Sequence, residues 1–581
     1  MGVDPTSRRS SSGLRLAPTL VEALLNAPPD SPFATMWRDD EDVEDCTFGE
    51  FVERAAAQAM SFRERGVGPG DRVVIIMPQG IELMTVFAGA MLLGGVPSIL
   101  AYPTFKIDPA KYRAGLAGVT ANLDPRLVVL DDGFPDELLE HVQGDRARHI
   151  LAVDPSHRAD AADVVVKVEG GNLAFIQHSA GTTGLQKGVA LTHAQVVRQL
   201  GHLCDALQAT GEDRIYSWLP LYHDMGLVAC FILPMAAHLP VVMQSPTDWV
   251  IQPGRMLDII TSHRSTLAWV PNFALQFIAR RVRDGDLAGI DLSNLRALIN
   301  CSEPITGQSM DEFLERFAGC GMRRDALATS YAMAENTFAV TQSRVGSGAT
   351  PSRTVVDAAA VRDRHEAVPA GPATQKTIEF VSSGRCLPAC EVRVVSAIGE
   401  ILGERAVGEI LVRSDSLFDG YFNRPDLDDL VFVDGWYRTG DLGFIVDGEI
   451  FAVGRSKDLI IQGGKNIYPQ DVEDIAFAHP AIRDGRAVAF GLFNADLGTE
   501  DIVVVAEFET DERELKPKDI ERAIKAAVVA ELGVTVRGVH LKPPMWIVKS
   551  TAGKPARSAT KMKLLAEHPE LATGEPSIEM G

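Results

Sequence analysis

Short apolar runs alternate with amphipathic segments along most of this chain. The runs are of strand length and rich in Val, Ile and Leu, and the segments between them have the period of an α-helix. This alternation predicts a wound α/β body between about Thr47 and Val381. The predicted strands of this body are Arg72–Met77, Arg126–Leu130, Ala174–Gln177, Leu267–Val270 and Ala297–Asn300.

One of these strands ends abruptly in a loop of hydroxyl groups and glycines. After Phe175–His178 the chain continues as SAGTTGLQKG, which has no bulky side chain before Leu185. Hydroxyls, exposed backbone N–H groups and a lysine are suited to holding a phosphate. The next segment places Val196, Val197, Leu200, Leu203 and Leu207 on one helical face, so the pattern predicts a strand, a phosphate loop and a helix as one βα unit.

The loop does not match two common nucleotide motifs. A P-loop requires a glycine, four intervening residues and then Gly-Lys-Ser/Thr. Here Lys187 follows Gln186 instead of a glycine and precedes Gly188 instead of Ser or Thr. The GxGxxG spacing of dinucleotide-binding folds is also missing from this stretch.

The rest of the chain divides into a long excursion, a group of short strands and a final domain. Residues 341–377 are polar and rich in Gly, Pro and Ala, which predicts an insertion-like excursion from the core. We expect a disordered tail over residues 1–15, a body over 16–455 and a small α+β domain over 456–581. The final domain begins at the polar step Gly454–Asp458.

Composition and charge restrict the partners. With 581 residues the chain is too long for one compact domain. The net charge of −22 argues against nucleic acid or an anionic membrane as the main partner. Seven scattered cysteines fit free thiols in a reducing compartment, and no stretch approaches the roughly 20 apolar residues that span a bilayer. We expect a cytoplasmic protein without a transmembrane segment.

SAGTTGLQKG resembles the phosphate loop of the adenylate-forming superfamily, which includes acyl-CoA synthetases, luciferases and the adenylation domains of peptide synthetases. The loop departs from the usual pattern at Ala180 and at Gln186, where proline is common. The nucleotide-binding residues that the resemblance assigns to the loop are Ser179, Gly181, Thr182, Thr183, Gly184 and Lys187.

Further motifs of the superfamily follow in the expected order. In TSYAMAENT, Tyr331 would stack on the adenine and Glu335 would hold Mg²⁺. WYRTGD supplies Asp441 for the ribose hydroxyls, and GRSKD supplies Arg455 as a second ribose or phosphate contact. GRSKD also supplies Lys457 as the hinge of the small domain, and KSTAGKPARS supplies Lys554 as the catalytic lysine that contacts the reacting carboxylate and the α-phosphate.

Each of these residues, taken singly, has an ordinary alternative. Glu335 is also compatible with a solvated helix-cap acid, Asp441 with a turn residue and Lys554 with a charge on a flexible tail. Five motifs in the right order favour the superfamily. The resemblance covers Thr47 to Ser558 and implies a large multi-subdomain α/β body with a small mobile α+β lid. It also implies ATP as substrate and Mg²⁺ as cofactor.

SWLPLYHDMGL resembles the fatty acyl-AMP ligase branch of the superfamily, as do WVPNFAL, NCSEPI and SSGRCLP. The resemblance places His223 beside the acyl carboxylate as a catalytic residue, with a helix-start histidine capped by Asp224 as the alternative. It adds Ser302 and Glu303 to the nucleotide-binding residues. Pro271, Phe273 and Leu275 form an apolar acyl wall without a fixed acid, and this favours a fatty acid over an amino acid.

Two thiols are candidate acceptors of the acyl group, that of an acyl carrier protein and that of coenzyme A. The 341–377 excursion falls where the branch carries an insertion associated with rejecting free coenzyme A, and this favours an acyl carrier protein. Lys187 makes the phosphate loop more like that of the acyl-CoA synthetases, and this favours coenzyme A. A non-catalytic nucleotide-binding homologue is the rival class, and the joint presence of Glu335, Asp441, Arg455 and Lys554 argues against it.

Overall fold

The computed structural model describes most of the chain. The described ranges are 14–38, 42–103, 109–143, 157–178, 187–346, 348, 350–463, 465–494, 497, 499–508, 516–549 and 555–572. Among these residues no helix combines the length and the apolar character that crossing a bilayer requires.

The largest sheet within the described ranges has 14 strands and organises the body. Its centre is parallel and its two flanks are antiparallel. In spatial order its main path is Cys390–Val395, Gly408–Ser414, Trp436–Val446, Glu449–Arg455, Arg385–Cys386, Ala339–Gln342, Leu327–Ala332, Ala297–Cys301, Leu267–Val270, Ile215–Ser217, Val241–Gln244, Pro32–Trp37 and Val43–Thr47. The short strand Phe432–Val433 pairs with Trp436–Val446 off this path.

The parallel centre explains why its strands are continuous apolar runs. Every residue of Leu267–Val270 and of Ala297–Cys301 is buried, because helices cover both faces of the sheet. The predicted bounds of the first strand are those observed, and the second is one residue longer than predicted. The predicted α/β fold class is confirmed.

A second layer holds the segment that enters the phosphate loop. Val96–Ile99, Arg72–Ile76 and Leu127–Leu130 form a three-stranded parallel sheet. Beside it, Leu173–His178 pairs antiparallel with Gly188–Thr192. The prediction of a simple βα unit is therefore wrong, because a second strand stands between the loop and the helix. GVALT has the alternation of a strand, and its last residue, Thr192, caps the helix.

The helices cover the sheets of the body and of the final domain. His193–Leu207 carries the predicted apolar face and begins with a capping box between Thr192 and Gln195. The other α-helices are Leu20–Leu25, Phe48–Glu64, Ile81–Leu92, Pro109–Leu123, Leu233–Ala237, Pro246–Ile251, Arg255–His263, Asn272–Arg281, Gly307–Phe317, Ala358–Arg364, Pro425–Val431, Pro469–Phe477, Pro517–Leu532 and Arg557–Glu567, and Met225–Ile232 is a π-helix.

The excursion begins later than predicted and has its own secondary structure. Thr341 and Gln342 still belong to the large sheet. Beyond them Arg353–Asp357 pairs antiparallel with Thr377–Val381, and helix Ala358–Arg364 lies between these two strands in sequence. The helix starts where Asp357 accepts hydrogen bonds from the N–H groups of Ala359 and Ala360.

The final domain is built on a separate three-stranded sheet. Ile482–Asn494 pairs antiparallel with Thr499–Phe508, which pairs parallel with Val536–Lys542. A small hairpin, Ile460–Gln462 with Lys465–Ile467, precedes this sheet. The hydrophobic core of the final domain, which includes Ile475 and Ile524, is distinct from the main core of the body. This organisation accords with the predicted α+β domain.

Candidate active site

Three predicted nucleotide-binding residues lie in direct contact. The hydroxyl of Tyr331 donates a hydrogen bond of 2.6 Å to Oδ2 of Asp441. Nε of Arg455 lies 3.1 Å from Oδ1 of the same carboxylate. An aromatic ring, a carboxylate and a guanidinium thus meet at one place.

Strand pairing brings these residues together. Trp436–Val446 and Glu449–Arg455 form a hairpin in which Asp441 is directly opposite Arg455. The Asp441 charge raises the pKa of the Arg455 guanidinium above its ordinary value. Burial, and then the Asp441 charge, raise the pKa of Tyr331 well above its ordinary value, so the phenol stays protonated and donates.

A second cluster surrounds the predicted magnesium ligand. Glu335 lies in a short 3₁₀ turn, Ala334–Asn336, directly after the strand of Tyr331. Its Oε1 accepts a hydrogen bond of 2.7 Å from the hydroxyl of Tyr421, which is 3.1 Å from the hydroxyl of Tyr437. Nζ of Lys187 lies 4.7 Å from the centroid of the Tyr421 ring. The predicted metal ligand and the predicted phosphate lysine are therefore joined through one tyrosine.

The chemistry of Glu335 fits Mg²⁺. A carboxylate is a hard oxygen donor, and Mg²⁺ in nucleotide sites is usually held by one or two carboxylates together with the phosphates. Among the described residues no group of three or more His, Cys, Asp and Glu side chains could hold a metal, so an all-protein cage is not found there. A single half-buried carboxylate accords with a metal that arrives with its nucleotide.

Several predicted residues lie outside the described ranges. These are Ser179, Gly181, Thr182, Thr183 and Gly184 of the predicted phosphate loop and Lys554, the predicted catalytic residue. Both strands that flank the loop are described, and His178 pairs with Gly188 at its base.

Lys457, the predicted hinge, lies in the 3₁₀ turn Ser456–Asp458 between the body and the final domain. Desolvation, followed by the charge of Arg455, lowers the pKa of the Lys457 ammonium, and Lys187 adds to this effect. The Lys457 ammonium therefore lies within electrostatic range of Arg455 and Lys187, at the turn between the body and the final domain.

His223 precedes the π-helix Met225–Ile232. Its Nδ1 is 2.6 Å from Oδ1 of Asp224, and the same oxygen accepts the N–H of Met225 at 2.8 Å. The arrangement has the capping geometry of the alternative interpretation. It leaves the ring half-buried rather than enclosed, and so it is compatible with either role.

The predicted acyl residues lie around helix Asn272–Arg281. Pro271 and Leu275 are buried, whereas Phe273 is 41% exposed. The Phe273 ring contacts the stacked pair Trp218 and Trp249 edge-on, with centroids 6.3 and 6.1 Å away. Of the predicted wall, Phe273 is therefore the residue that faces open space.

Ser302 and Glu303 follow the buried strand Ala297–Cys301. Ser302 adopts the left-handed region with φ of 69°, which is uncommon for residues other than glycine. Oε2 of Glu303 accepts the N–H of Phe273 at 3.0 Å, so it caps the helix of the acyl wall.

Sequence reasoning missed Tyr421 and Tyr437, which complete the Glu335 cluster. Tyr421 lies in FDGYFN and Tyr437 in WYRTGD, the stretch already singled out for Asp441. The available signal was the pair of adjacent aromatic residues Tyr421 and Phe422 after Gly420, in a segment otherwise typical of a turn.

Comparison with known proteins accords with this geometry. Residues 21–422 match the family described as AMP-binding enzyme. The chain is 31% identical to the long-chain-fatty-acid–AMP ligase FadD26 of Mycobacterium bovis, over 94% of this chain and 96% of the relative. The chain belongs to the AMP-binding enzyme family. The predicted resemblance and enzyme class are confirmed, and family membership supports ATP as a substrate.

Other members of the AMP-binding family extend the comparison. The chain is 29% identical to the medium-chain-fatty-acid–[acyl-carrier-protein] ligase JamA of Moorena producens, over 90% of this chain and 91% of the relative. A solved structure from a study of fatty acyl-adenylate ligases of E. coli and L. pneumophila superposes with a TM-score of 0.88 at 30% identity. That superposition covers 97% of this chain and 100% of the solved chain.

Proposed function

We propose that this protein activates a medium- or long-chain fatty acid with ATP and transfers the acyl group to a phosphopantetheine thiol. The observation that carries the proposal is the convergence of Tyr331, Asp441 and Arg455 in one cluster. The neighbouring Glu335, Tyr421 and Lys187 cluster supplies a carboxylate that would hold Mg²⁺ and an ammonium for the phosphates. Acyl transfer to a thiol completes the reaction of an acid–thiol ligase.

The chemistry explains why such residues are needed. A carboxylate is a poor electrophile, so it first attacks the α-phosphate of ATP and displaces pyrophosphate. Charge builds on the phosphate oxygens, and catalysis is therefore mainly positioning and neutralisation. In this proposal Lys187 and Lys554 neutralise that charge, and Asp441 holds the ribose. Glu335 would hold Mg²⁺, which supplies further neutralisation when bound.

The acyl wall supports an aliphatic acid. Phe273 offers an exposed aromatic ring that packs on the buried Trp218 and Trp249, and no predicted wall residue is charged. An amino acid substrate would require a carboxylate to pair its ammonium, because an unpaired buried charge is costly. The names of FadD26 and JamA, which specify long-chain and medium-chain fatty acids, accord with this substrate class.

Contacts of the excursion favour a carrier protein as acceptor. Arg362 of the excursion pairs with Asp471 of the final domain at 3.0 Å, and Nζ of Lys376 donates to the carbonyl of Ala530 at 2.7 Å. These contacts must break if the final domain rotates for thioester formation, and they therefore oppose that rotation. Docking of a carrier protein supplies binding energy that can offset the loss of these contacts, and free coenzyme A lacks this docking energy. Coenzyme A is the second candidate acceptor, because Lys187 makes the phosphate loop more like that of the acyl-CoA synthetases.

The test has two stages. Fatty-acid-dependent exchange of pyrophosphate into ATP is measured with octanoate, dodecanoate, palmitate and phenylalanine. We expect exchange with the fatty acids and none with the amino acid, and no exchange with any acid would overturn the proposal. The purified enzyme is then given coenzyme A or a holo carrier protein, and mass spectrometry identifies the thioester. A thioester formed on coenzyme A alone would overturn the preference for a carrier protein.

A further inference from the structure

Tyr421 is a buried residue that contacts two predicted phosphate-site residues and belongs to none of the predicted motifs. Only 4% of it is exposed. Its hydroxyl donates to Oε1 of Glu335 at 2.7 Å, and its ring lies 4.7 Å from Nζ of Lys187. Glu335 and Lys187 are far apart in sequence, so this side chain fixes a distance that the local backbone does not.

The backbone around Tyr421 connects the same two elements. The N–H of Phe418 donates to the carbonyl of Glu335 at 2.8 Å, and the N–H of Phe422 donates to the carbonyl of Gly188 at 2.7 Å. Tyr421 itself forms a β-bridge with Val189. The segment 418–422 therefore runs from the turn that bears Glu335 to the end of the phosphate loop.

The position of Tyr421 is also fixed independently of its side chain. Its N–H donates to Oδ1 of Asp428 at 2.8 Å. The preceding Gly420 has φ of 158°, and a Cβ there would lie 2.5 Å from Oδ2 of Asp428. Removal of the hydroxyl should thus leave the backbone in place, and phenylalanine keeps the ring beside Lys187.

The protonation of the phenol suits a donor. A phenol is protonated at neutral pH, so the Tyr421 hydroxyl is available to donate its hydrogen to the Glu335 carboxylate. Long side chains such as Lys and Glu lose rotamer entropy when they are ordered. Contacts that order them before the substrate arrives reduce this cost at the moment of binding.

We propose that Tyr421 is a positioning residue that holds the Glu335 carboxylate and the Lys187 ammonium in place for a metal-bound nucleotide. Its hydroxyl orients the carboxylate, and its ring holds the ammonium. This inference rests on the proposed function, because it assumes that Glu335 and Lys187 serve a metal-bound nucleotide.

The two contacts can be separated by two variants. Nucleotide binding is measured by calorimetry without a fatty acid, so that no turnover occurs, once with ATP and Mg²⁺ and once with ATP and a chelator. Tyr421→Phe should weaken binding of Mg²⁺-ATP about tenfold, because a hydrogen bond to a charged group is lost. Binding of metal-free ATP should change less than about twofold. Tyr421→Leu should also weaken metal-free binding, about threefold, because Lys187 loses its aromatic partner.

Tyr112→Phe is the matched control, because it also removes a tyrosine hydroxyl, and that hydroxyl donates to the carbonyl of Ala101 rather than to the Glu335 cluster. It should leave Mg²⁺-ATP binding within about threefold of wild type. An equal loss in both phenylalanine variants would overturn the specific role of Tyr421. Unchanged Mg²⁺-ATP binding in Tyr421→Phe, or equal weakening with and without metal, would also overturn it.

A double-mutant cycle keeps the test valid if Tyr421→Phe loses stability. In a Glu335→Ala background, Tyr421→Phe should not weaken Mg²⁺-ATP binding further, because its partner is gone. Additive losses would contradict the proposal. Failure of the proposed function would give a different result. If Tyr421→Phe weakens Mg²⁺-ATP binding as expected but the wild type shows no fatty-acid-dependent exchange, the proposed substrate is refuted and the role of Tyr421 stands.

Discussion

The hydroxyl of Tyr331 lies 2.6 Å from Oδ2 of Asp441, although the two residues are 110 positions apart in the chain. Each residue was predicted from a separate short motif, one for the adenine and one for the ribose. Their direct hydrogen bond brings the two motifs to one site, and Arg455 extends that site by an ion pair. This convergence is a condition that the proposed adenylation had to meet.

Asp441→Asn should selectively impair nucleotide binding. The substitution keeps the shape of the side chain but removes the charge that pairs with Arg455 and accepts the ribose hydroxyls. We expect the KM for ATP to rise about tenfold or more, since charged hydrogen bonds are worth about 1.5–3 kcal/mol. The KM for the fatty acid should stay within about twofold. Asp447→Asn, on the exposed turn of the same hairpin, is the control, and equal effects of the two variants would contradict the assignment.

Lys554→Ala should slow adenylate formation by about 100-fold, because removal of one electrostatic contact to the transition state costs about 3–4 kcal/mol. The rate of pyrophosphate release measures this step. Lys561→Ala, in the nearby helix Arg557–Glu567, is the control. Wild-type pyrophosphate release from Lys554→Ala would refute the role.

Lys457→Pro should impair thioester formation more than adenylate formation. Proline restricts φ at the turn between the body and the final domain, and the two half-reactions are expected to need different orientations of that domain. Single-turnover assays of the two half-reactions measure the ratio. Lys457→Ala removes the charge without restricting φ, so a similar ratio in both variants would argue against a hinge.

The excursion should influence the choice of acceptor. The double variant Arg362→Ala with Lys376→Ala removes two contacts to the final domain, at Asp471 and at the end of helix Pro517–Leu532. We expect the rate with coenzyme A, relative to that with a carrier protein, to rise about fivefold, which corresponds to about 1 kcal/mol of lost contact. Asp363→Ala is the control, and an unchanged ratio would mean that these contacts do not affect the acceptor.

Two buried histidines should make the fold sensitive to acid. Burial lowers the pKa of His178 to about 4 and that of His193 to about 4. Between the ordinary pKa of about 6.5 and this value, the unfolded chain binds protons that the folded chain does not, so stability falls as the pH drops. The loss approaches about 3 kcal/mol for each histidine near pH 4.

Urea unfolding at pH 7 and pH 5 measures this slope. His193→Asn should reduce the difference in the free energy of unfolding between pH 7 and pH 5 by the contribution of one histidine. His157→Asn, at the surface, is the matched control. A slope that is the same in wild type and in His193→Asn would show that this residue does not carry the effect.

The central parallel strands were predictable because their residues are buried on both sides. Leu267–Val270 is apolar without interruption, and its bounds follow from the sequence. The strand after the phosphate loop was not predicted, because GVALT is short and adjoins a strong helix signal. The contact of Tyr421 with Glu335 was also beyond reach, because it depends on long-range packing rather than on local periodicity.

The excursion also has a consequence for how such a protein can change over generations. Val356 and Val361 of the excursion pack with Phe444 and Phe451 of the Asp441 hairpin and with Tyr468 of the final domain. Deletion of the excursion would therefore expose apolar surface on both neighbours and promote aggregation. A lineage could gain or discard this segment only alongside matching changes in the residues it covers.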